Sequence, residues 1–346
     1  MSIYPLFRSL LFKLDPESAH QLTLQLMRIG GIWPVNPVLR TIFAAPQKPV
    51  EAFGLTFPNA VGLAAGYDKD GLAVAGLSAL GFGHIEVGTI TPKPQPGNPK
   101  PRVFRLVEDE GIINRMGFPG LGAEFARQQL SAFLHRPLPA ILGVNLGKNK
   151  DTPLESAAED YITLLKIFTP LADYLTINIS SPNTVGLRRL QGREMLEQLL
   201  GAVAKERETL TPGPSPAGRG GKVPVLVKIA PDLSDEELDD AVGVILEMGM
   251  DGVIATNTTL SREGLRSKRQ GESGGLSGAP LTGRSDFVLG KVVARVNGRV
   301  PVVGVGGIMS PDDAKRKIDL GATLVQVYSG LVYRGPGLVK EIVRAL

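Results

Sequence analysis

Short runs rich in Val, Ile and Leu recur along the chain and alternate with segments in which apolar residues return every three or four positions. Continuous apolar runs are typical of strands buried on both faces of a parallel sheet. The runs span residues 60–64, 85–89, 141–146, 174–179, 223–229, 252–255, 300–305 and 323–328. Eight such strands separated by helices predict an α/β fold, the (β/α)8 TIM barrel, with an open doubly wound sheet as the alternative.

Sequence signals for helix starts lie between these runs. Ser234 is followed by acidic residues, of which Glu237 completes a capping box ahead of the apolar Leu238. Ser310 precedes Pro311, so proline takes the first helical position, and the acidic residues that follow lie at the positive end of the helix dipole. These signals support an alternation of strands and helices.

Small or hydrogen-bonding residues follow every apolar run, at residues 65–69, 88–89, 145–148, 178–183, 228, 256–258, 306–307 and 328–330. In a barrel the carboxyl ends of the strands meet at one rim, where the active site forms. The end Asn-Ile-Ser-Ser-Pro-Asn is the most informative, although the same residue types build an ordinary strand-ending turn. Because similar residues end all the runs, we predict a reaction site at this rim.

Two glycine-rich segments, residues 276–278 and 304–307, precede helices near the seventh and eighth units. Barrels often bind phosphate there, with backbone N–H groups and a helix N-terminus. Tight turns that need positive φ would use the same glycines. Taken with Tyr328 and Ser329 at the last strand end, the two segments favour a phosphate pocket and therefore a phosphorylated cofactor.

The composition narrows the possible functions. With 43% hydrophobic and 21% charged residues, the chain is a folded globular protein, and a net charge of +4 without a basic run among aromatics argues against nucleic acid. The lack of Cys excludes disulfides, thiolate metal sites and a Cys nucleophile or base. His20, His84 and His135 lack metal-ligand spacing, so we expect no metal site. Neither a membrane-spanning run nor a signal-peptide pattern is present, so we expect the chain in the cytoplasm.

The N-terminal residues do not follow the strand pattern and predict a small helical hairpin. In the first helix Leu6, Phe7 and Leu10 share one face, and the second opens at Asp15 and Pro16 and stops at two glycines. We assign residues 1–40 to this domain and residues 41–346 to the barrel. The hairpin is either a lid packed on the barrel or an amphipathic element that dips into a membrane surface.

A Pro/Gly-rich stretch at residues 211–221 lies ahead of the fifth run. Its composition predicts a mobile surface loop. It precedes the N-terminal end of a strand, on the barrel face opposite the expected chemistry, so we assign it no catalytic part.

Several motifs resemble those of dihydroorotate dehydrogenases of the membrane-associated, quinone-reducing class (class 2), which are FMN enzymes of pyrimidine (UMP) biosynthesis. The motifs lie at residues 59–66, 114–118, 147–150, 178–183, 228–232, 255–259 and 304–308, and the similarity extends over essentially the whole chain. The resemblance implies an oxidoreductase that acts on a CH–CH bond, oxidising (S)-dihydroorotate to orotate with FMN as prosthetic group.

The resemblance implies a set of FMN contacts on the barrel mouth: Ala65, Gly66, Tyr67, Asp68, Lys69, Thr89, Asn145, Asn178, Lys228, Thr256, Gly278, Gly307, Tyr328 and Ser329. Lys228 ends a strand, where a fixed ammonium would stabilise negative charge on a reduced flavin. An ion pair with Asp232 is the alternative use of this lysine.

The substrate contacts that the resemblance implies are Lys69, Asn114, Arg115, Met116, Gly117, Phe118, Asn178, Asn183, Asn257 and Thr258. Asparagine side chains both donate and accept, which suits the cyclic diamide of dihydroorotate. Lys69 and the backbone at Met116 and Gly117 are candidates for binding its carboxylate. From local sequence alone, Asn114 and Arg115 would belong to a solvated loop.

By the same resemblance Ser181 is the catalytic base, which takes a proton from ring carbon 5 while a hydride leaves ring carbon 6 for FMN. A serine hydroxyl is a poor base unless its own proton is relayed away. Thr184 is the nearest candidate for this relay, and Phe118 would close the pocket.

The resemblance also implies a quinone site at His20, Arg105 and Tyr328, reached through the hairpin. Without it, His20 would be a polar residue on an amphipathic helix. We expect a monomer held peripherally at the cytoplasmic side of the cell membrane. Two rival functions stay open: another FMN barrel acting on a related pyrimidine with a different electron partner, and a flavin-binding membrane adaptor without turnover.

Overall fold

A computed structural model describes residues 4–210 and 222–346. The Pro/Gly-rich stretch at residues 211–221, for which we expected a mobile loop, lies outside the described residues. The described chain forms a closed barrel with a group of helices at one mouth.

The barrel consists of eight parallel strands, Val61–Leu63, His84–Ile90, Ile141–Leu146, Tyr174–Asn178, Val225–Ile229, Gly252–Ala255, Val302–Val305 and Leu324–Val327. The strands pair in chain order, and the last strand pairs with the first. This closure confirms the barrel and excludes the open sheet. Each predicted run overlaps one of these strands, the strand His84–Ile90 being longer than its run, and all strand residues are buried, as the continuous apolar pattern indicated.

The helices that follow the strands include Val74–Ser78, Gly122–Ser131, Ala157–Phe168, Arg193–Thr209, Asp235–Glu247, Thr282–Val296, Pro311–Asp319, Ser329–Arg334 and Gly337–Ala345. Both predicted starts are confirmed. The Ser234 hydroxyl accepts from the Glu237 N–H, and the Glu237 carboxylate accepts from the Ser234 N–H. The Ser310 hydroxyl accepts from the Asp313 N–H.

Two small antiparallel sheets were not predicted. Val50–Ala52 and Leu55–Phe57 pair at the entrance to the first barrel strand, where their side chains join a core cluster with Ile254 and Leu324. Val103–Leu106, Gly111–Asn114 and Gly275–Gly278 form a three-stranded sheet. This sheet matters for function, because Asn114 and Gly278 lie at strand ends that border the barrel mouth.

Three helices, Tyr4–Leu11, Pro16–Gly30 and Val35–Phe43, form what we call the helical cap. The first two are the predicted hairpin. The third was not predicted and runs past residue 40. Large apolar side chains of the cap stay exposed, with Leu6 at 74% and Trp33 at 81% of their free surface. Over the described ranges, no helix combines the length and apolar character needed to cross a bilayer.

Polar contacts fasten the cap to the barrel. The Tyr4 hydroxyl donates to the Val332 carbonyl at 2.7 Å. The guanidinium of Arg105 donates to the Leu11 and Leu14 carbonyls between the first two helices. These contacts hold the cap over the carboxyl ends of the strands.

Candidate functional site

One large pocket opens between the barrel mouth and the helical cap. Its empty volume, including the open mouth, is about 1780 Å³. Strand ends, the three-stranded sheet and the first two cap helices all contribute to its walls. The pocket therefore extends from the strand ends to the cap.

Asparagine and serine side chains line one half of the pocket. The Asn183 amide donates to Asn114 Oδ1 at 3.1 Å, and the Asn257 amide donates to Ser180 Oγ at 3.0 Å. The Ser181 hydroxyl accepts from the Asn183 N–H at 3.2 Å, which leaves its own proton available to another partner. This half of the pocket presents several orientable hydrogen-bonding groups around a nucleophilic oxygen.

Thr184 lies close in sequence to Ser181 and is buried. Its hydroxyl is one of the few enclosed side-chain oxygens without a hydrogen-bond partner among the described residues. A buried hydroxyl in this position can donate and accept one proton at a time. No hydrogen bond joins Thr184 to Ser181 in the described structure, so the relay through Thr184 stays a prediction.

Two polar side chains outside the pocket lining hold the segment at residues 114–118. The Asn98 amide donates to the Arg115 and Asn183 carbonyls, and the Gln95 amide donates to the Gly117 and Phe118 carbonyls. The Arg115 side chain points away from the pocket, where it pairs with Glu272 at 2.8 Å. The segment is therefore a fixed part of the fold and not a solvated loop.

Lys69 supplies a cation to the pocket. Its ammonium donates to the Gly66 carbonyl at 2.7 Å. Burial lowers the pKa of Lys69 to about 8, although the nearby Asp70 and Glu17 carboxylates act in the opposite direction. The lysine is therefore charged at neutral pH and would bind an anion strongly, since little water competes for it.

Lys228 is a second buried cation at the pocket wall. Burial lowers the pKa of its ammonium, and the Glu86 carboxylate opposes that shift. No ion pair or hydrogen bond to its ammonium exists within the described parts of the chain, and Asp232 pairs with Arg188 and Arg284 instead. The alternative of a structural Lys228–Asp232 pair is wrong.

Glycines form a cradle at the opposite wall. Gly278, Gly306 and Gly307 have φ angles of +93°, +112° and +72°, so these glycines do form the positive-φ turns that were the alternative to a phosphate pocket. All three also line the pocket, beside the Ser277 and Ser329 hydroxyls that lie 2.9 Å apart. Backbone N–H groups and hydroxyls of this kind can bind an anionic group such as a phosphate.

A buried ion pair supports this cradle from behind. The Thr282 and Ser285 hydroxyls donate to the Gly307 and Gly306 carbonyls, both at 2.8 Å. The fully buried Lys317 donates in turn to Ser285 Oγ at 2.8 Å and to Asp286 at 2.6 Å. The glycine loop is thus held by side chains that the sequence patterns did not reveal.

Aromatic side chains line the cap end of the pocket. The rings of His20 and Tyr67 meet edge to face at 5.0 Å, and those of Tyr67 and Tyr328 at 6.1 Å. Burial, with help from Lys69, lowers the pKa of His20 to about 3, so its imidazole is neutral at physiological pH. The Arg105 guanidinium lies over the Phe12 ring at 4.6 Å. This end suits an apolar ring with hydrogen-bonding oxygens.

Most of the predicted site residues line this one pocket: Ala65, Gly66, Tyr67, Lys69, Thr89, Asn178, Ser181, Lys228, Thr256, Gly278, Gly307, Tyr328 and Ser329, together with Asn114, Met116, Gly117, Phe118, Asn183, Asn257, Thr258, His20 and Arg105. Three lie outside the lining. Asp68 accepts from the Leu72 and Ala73 N–H groups, Asn145 lies beneath Thr89, and Arg115 points outward.

Several residues that line the pocket were not predicted from the sequence, including Glu17, Thr23, Ser277 and Gln326. Ser277 lies inside a glycine-rich segment that we had noted, so proximity to that segment was an available signal. Gln326 is a polar residue within an apolar run, which is unusual for a barrel strand. Glu17 and Thr23 lie on a cap helix, and nothing in the local sequence distinguishes them from solvent-facing residues.

Comparison with known proteins gives consistent matches. The family model described as Dihydroorotate dehydrogenase matches residues 49–346. Proteins named Dihydroorotate dehydrogenase (quinone) are similar over nearly the whole length: one from Pseudomonas fluorescens is 50% identical over 99% of both chains, and one from Azotobacter vinelandii is 49% identical over 99% of this chain and 96% of that one. The crystal structure of DHODH from Eimeria tenella in complex with ferulenol superposes with a TM-score of 0.88 at 42% identity, covering 96% and 90% of the two chains.

Proposed function

The chain belongs to the dihydroorotate dehydrogenase family, and on that premise we propose that it oxidises (S)-dihydroorotate to orotate with FMN as prosthetic group and a membrane quinone as electron acceptor. The reaction is a step of pyrimidine (UMP) biosynthesis. One observation carries the proposal: a single pocket contains Ser181, the pocket asparagines, a buried unpaired Lys228 and an aromatic cap end.

The residues at the pocket wall fit FMN. The glycine cradle with Ser329 would hold its phosphate, and Thr89, Asn178 and Thr256 would contact its ring system, with Asn145 and Asp68 supporting this wall from beneath. Lys228 would place a positive charge beside the flavin. When bound, FMN would supply the hydride acceptor and pass the electrons on to the quinone. The buried ammonium of Lys228 supports this role, because it makes no hydrogen bond or ion pair within the described residues and only the Coulombic effect of Glu86 offsets its burial.

Substrate would bind beside Ser181. Asn114, Asn183 and Asn257 would pair with the amide groups of the ring, and Lys69 would bind its carboxylate. The backbone of the segment at residues 114–118 would add N–H groups. Ser181 Oγ would take the proton from ring carbon 5 and release its own proton toward Thr184. The unused hydroxyl proton of Ser181 and the unpartnered hydroxyl of Thr184 support this direction of transfer.

Quinone would enter beneath the helical cap and bind at His20, Arg105 and Tyr328. The neutral His20 and the aromatic walls suit an uncharged quinone ring. The exposed apolar side chains of all three cap helices would lie in the membrane surface, so that the protein attaches peripherally at its cytoplasmic side. The proposed active unit is a monomer.

An anaerobic half-reaction experiment tests the function. Dihydroorotate is added to the purified FMN protein, and loss of flavin absorbance is followed. NAD, fumarate or a quinone is then added separately. We expect dihydroorotate to bleach the flavin and only the quinone to restore its colour rapidly. Rapid recovery with NAD or fumarate would favour a barrel with another electron partner, and no bleaching at all would favour an adaptor.

A further inference from the structure

A carboxylate lies at the centre of the barrel, below the pocket. Glu86 is fully buried on the second barrel strand. The Asn145 amide donates to its Oε1 at 2.7 Å, while Tyr174, Thr176 and Gln326 donate to its Oε2 at 3.1, 3.3 and 3.0 Å. Four donors around two oxygens match a carboxylate that only accepts. Burial, and after it the Glu86 carboxylate, raises the pKa of Tyr174 well above its usual value, so the Tyr174 hydroxyl keeps the proton that it donates.

The Asn145 amide, which donates to this carboxylate, is the first of a series of hydrogen-bonded polar groups that leads up to the pocket. Asn145 donates downward, so its Oδ1 faces upward and accepts from Thr89 Oγ1 at 2.6 Å and from the Asn178 amide at 3.0 Å. Asn178 therefore turns its own Oδ1 toward Ser180 and the Asn257 amide. Backbone N–H groups of Ser180 and Thr258 also donate to the Asn178 and Asn257 oxygens, at 3.3 and 2.8 Å, whereas the partners of the Asn145 amide among the described residues are all side chains.

We propose that Glu86 is a positioning residue: a single buried anion that sets the donor and acceptor orientation of the Asn145 amide, to which Thr89 and Asn178 at the pocket wall donate. This inference rests on the proposed function. An asparagine can present either end of its amide, and the two ends bind opposite partners. Glu86 only accepts, so it selects the orientation in which Asn145 turns its oxygen toward the pocket wall, and the Asn145 side chain has no backbone partner among the described residues that would do so instead.

The effect of Glu86→Gln follows from this arrangement. If the three donors at Oε2 keep the new amide oxygen on their side, the new NH2 group meets the NH2 group of Asn145. If Asn145 turns over to avoid this contact, its NH2 group faces the Asn178 amide instead. Both arrangements oppose two donors in a buried site, which is strongly unfavourable. The remaining arrangement turns the new oxygen toward Asn145, but then the Tyr174 and Thr176 hydroxyls must accept and the Gln326 amide must turn over, so three side chains give up their present hydrogen bonds.

The test measures FMN affinity by fluorescence titration of the apoprotein, with dihydroorotate bleaching as a second readout. We expect Glu86→Gln to weaken FMN binding by about 10- to 100-fold, the usual consequence of an unmatched buried polar group. Thr176→Val is the matched control, because it removes a donor to Oε2 and leaves the contact between Oε1 and Asn145 intact. It should bind FMN nearly as the unchanged protein does.

A double variant separates orientation from packing. In Glu86→Gln with Asn145→Asp, the new carboxylate at 145 accepts from the new amide below and from Thr89 and Asn178 above. The orientation of the chain is restored, and the charge is kept. We expect this double variant to bind FMN more tightly than either single variant, since Asn145→Asp alone places two carboxylates in contact.

The outcomes are distinct. Unchanged FMN affinity in folded Glu86→Gln, or equal losses in Thr176→Val, overturns the inference. A residue that only fills the core would lower the melting temperature without changing FMN affinity at low temperature, and it would show no rescue. If Glu86→Gln does not fold, the double variant decides, and no gain over Asn145→Asp overturns the inference. Failure of the proposed function is recognised separately, because the unchanged protein would then show no bleaching by dihydroorotate.

Discussion

The two ends of the pocket are built from opposite kinds of contact. At the barrel rim, the asparagines are bonded to one another and to neighbouring hydroxyls, and the segment at residues 114–118 is fixed by Gln95 and Asn98. At the cap, His20, Tyr67 and Tyr328 meet through ring edges, and the helices around them leave many apolar side chains exposed.

This difference shows how one pocket can treat two ligands separately. In the proposed function the rim would select by fixed hydrogen bonds, which reject a molecule that leaves a buried polar group unpaired. The cap would select by apolar fit and would tolerate variation in the ligand. Changes at the rim should therefore affect the reaction with dihydroorotate, and changes at the cap should affect the reaction with quinone.

Removal of the cap gives the largest expected effect. A chain that lacks residues 1–44, cut after the third helix ends at Phe43, should lose quinone reduction while dihydroorotate still bleaches the flavin. The barrel has its own core, and the family match begins at residue 49. Stopped-flow measurement of each half-reaction checks this. Equal loss of both half-reactions would contradict a separate quinone module.

Ser181→Ala should have the next largest effect, on the opposite half-reaction. Loss of a positioned base slows proton transfer by about 10²- to 10⁴-fold. Flavin reduction by dihydroorotate should slow by this factor, with FMN still bound and reoxidation by quinone unchanged. Ser181→Cys is the matched control, because a thiol keeps a proton acceptor in place. Normal flavin reduction in the Ala variant would remove Ser181 from the reaction.

How far sequence alone could predict these two ends differs as well. The rim was predictable, because apolar runs fix the strands and the strand ends place the asparagines together. The third cap helix was not, since Trp33, Pro34 and Pro37 interrupt the pattern near its start. Glu86 was also missed, although a charge inside an apolar run was a visible signal. Its partners come from three other strands, and only the closed barrel brings them together.

The ion pair between Glu17 and Arg102 could not be predicted from the sequence either, because the two residues lie far apart in the chain. Neither residue shows a local sign of its burial. Lys317 was hidden in the same way. It lies on an otherwise polar helix, yet its charged side chain is fully buried against Asp286. Local periodicity predicts helices and strands, but it does not predict which charged residues pair across long distances in the chain.

The exposed face of the cap allows a third prediction. Leu6→Gln with Leu10→Gln should weaken binding to lipid vesicles by about tenfold for each residue, since each change removes most of the transfer energy of a leucine. Soluble quinone analogues should still be reduced. Leu121→Gln, at a similarly exposed leucine outside the cap, serves as the control. Vesicle binding that is unchanged in a co-sedimentation assay would contradict the membrane role of this face.

The smallest effect concerns pH. With a pKa of about 8, Lys69 is charged below that pH and neutral above it. The value of kcat/KM for dihydroorotate should therefore fall above about pH 8, by up to about tenfold per pH unit for one proton. Flavin reoxidation by quinone should not show this decline, because His20 stays neutral throughout. In Lys69→Met the value should be low and independent of pH over the same range, and a persistent decline there would assign it to another group.

The buried pair that joins the two ends carries a thermodynamic consequence. Glu17 belongs to the cap, and its carboxylate receives three hydrogen bonds from Arg102. The same guanidinium donates to the Pro96 and Asn98 carbonyls. The Asn98 side-chain amide in turn helps to fix the segment at residues 114–118. The two ends of the pocket are thus linked through one side chain. By whatever factor a molecule at the cap changes the affinity for dihydroorotate, dihydroorotate changes the affinity for that molecule by the same factor.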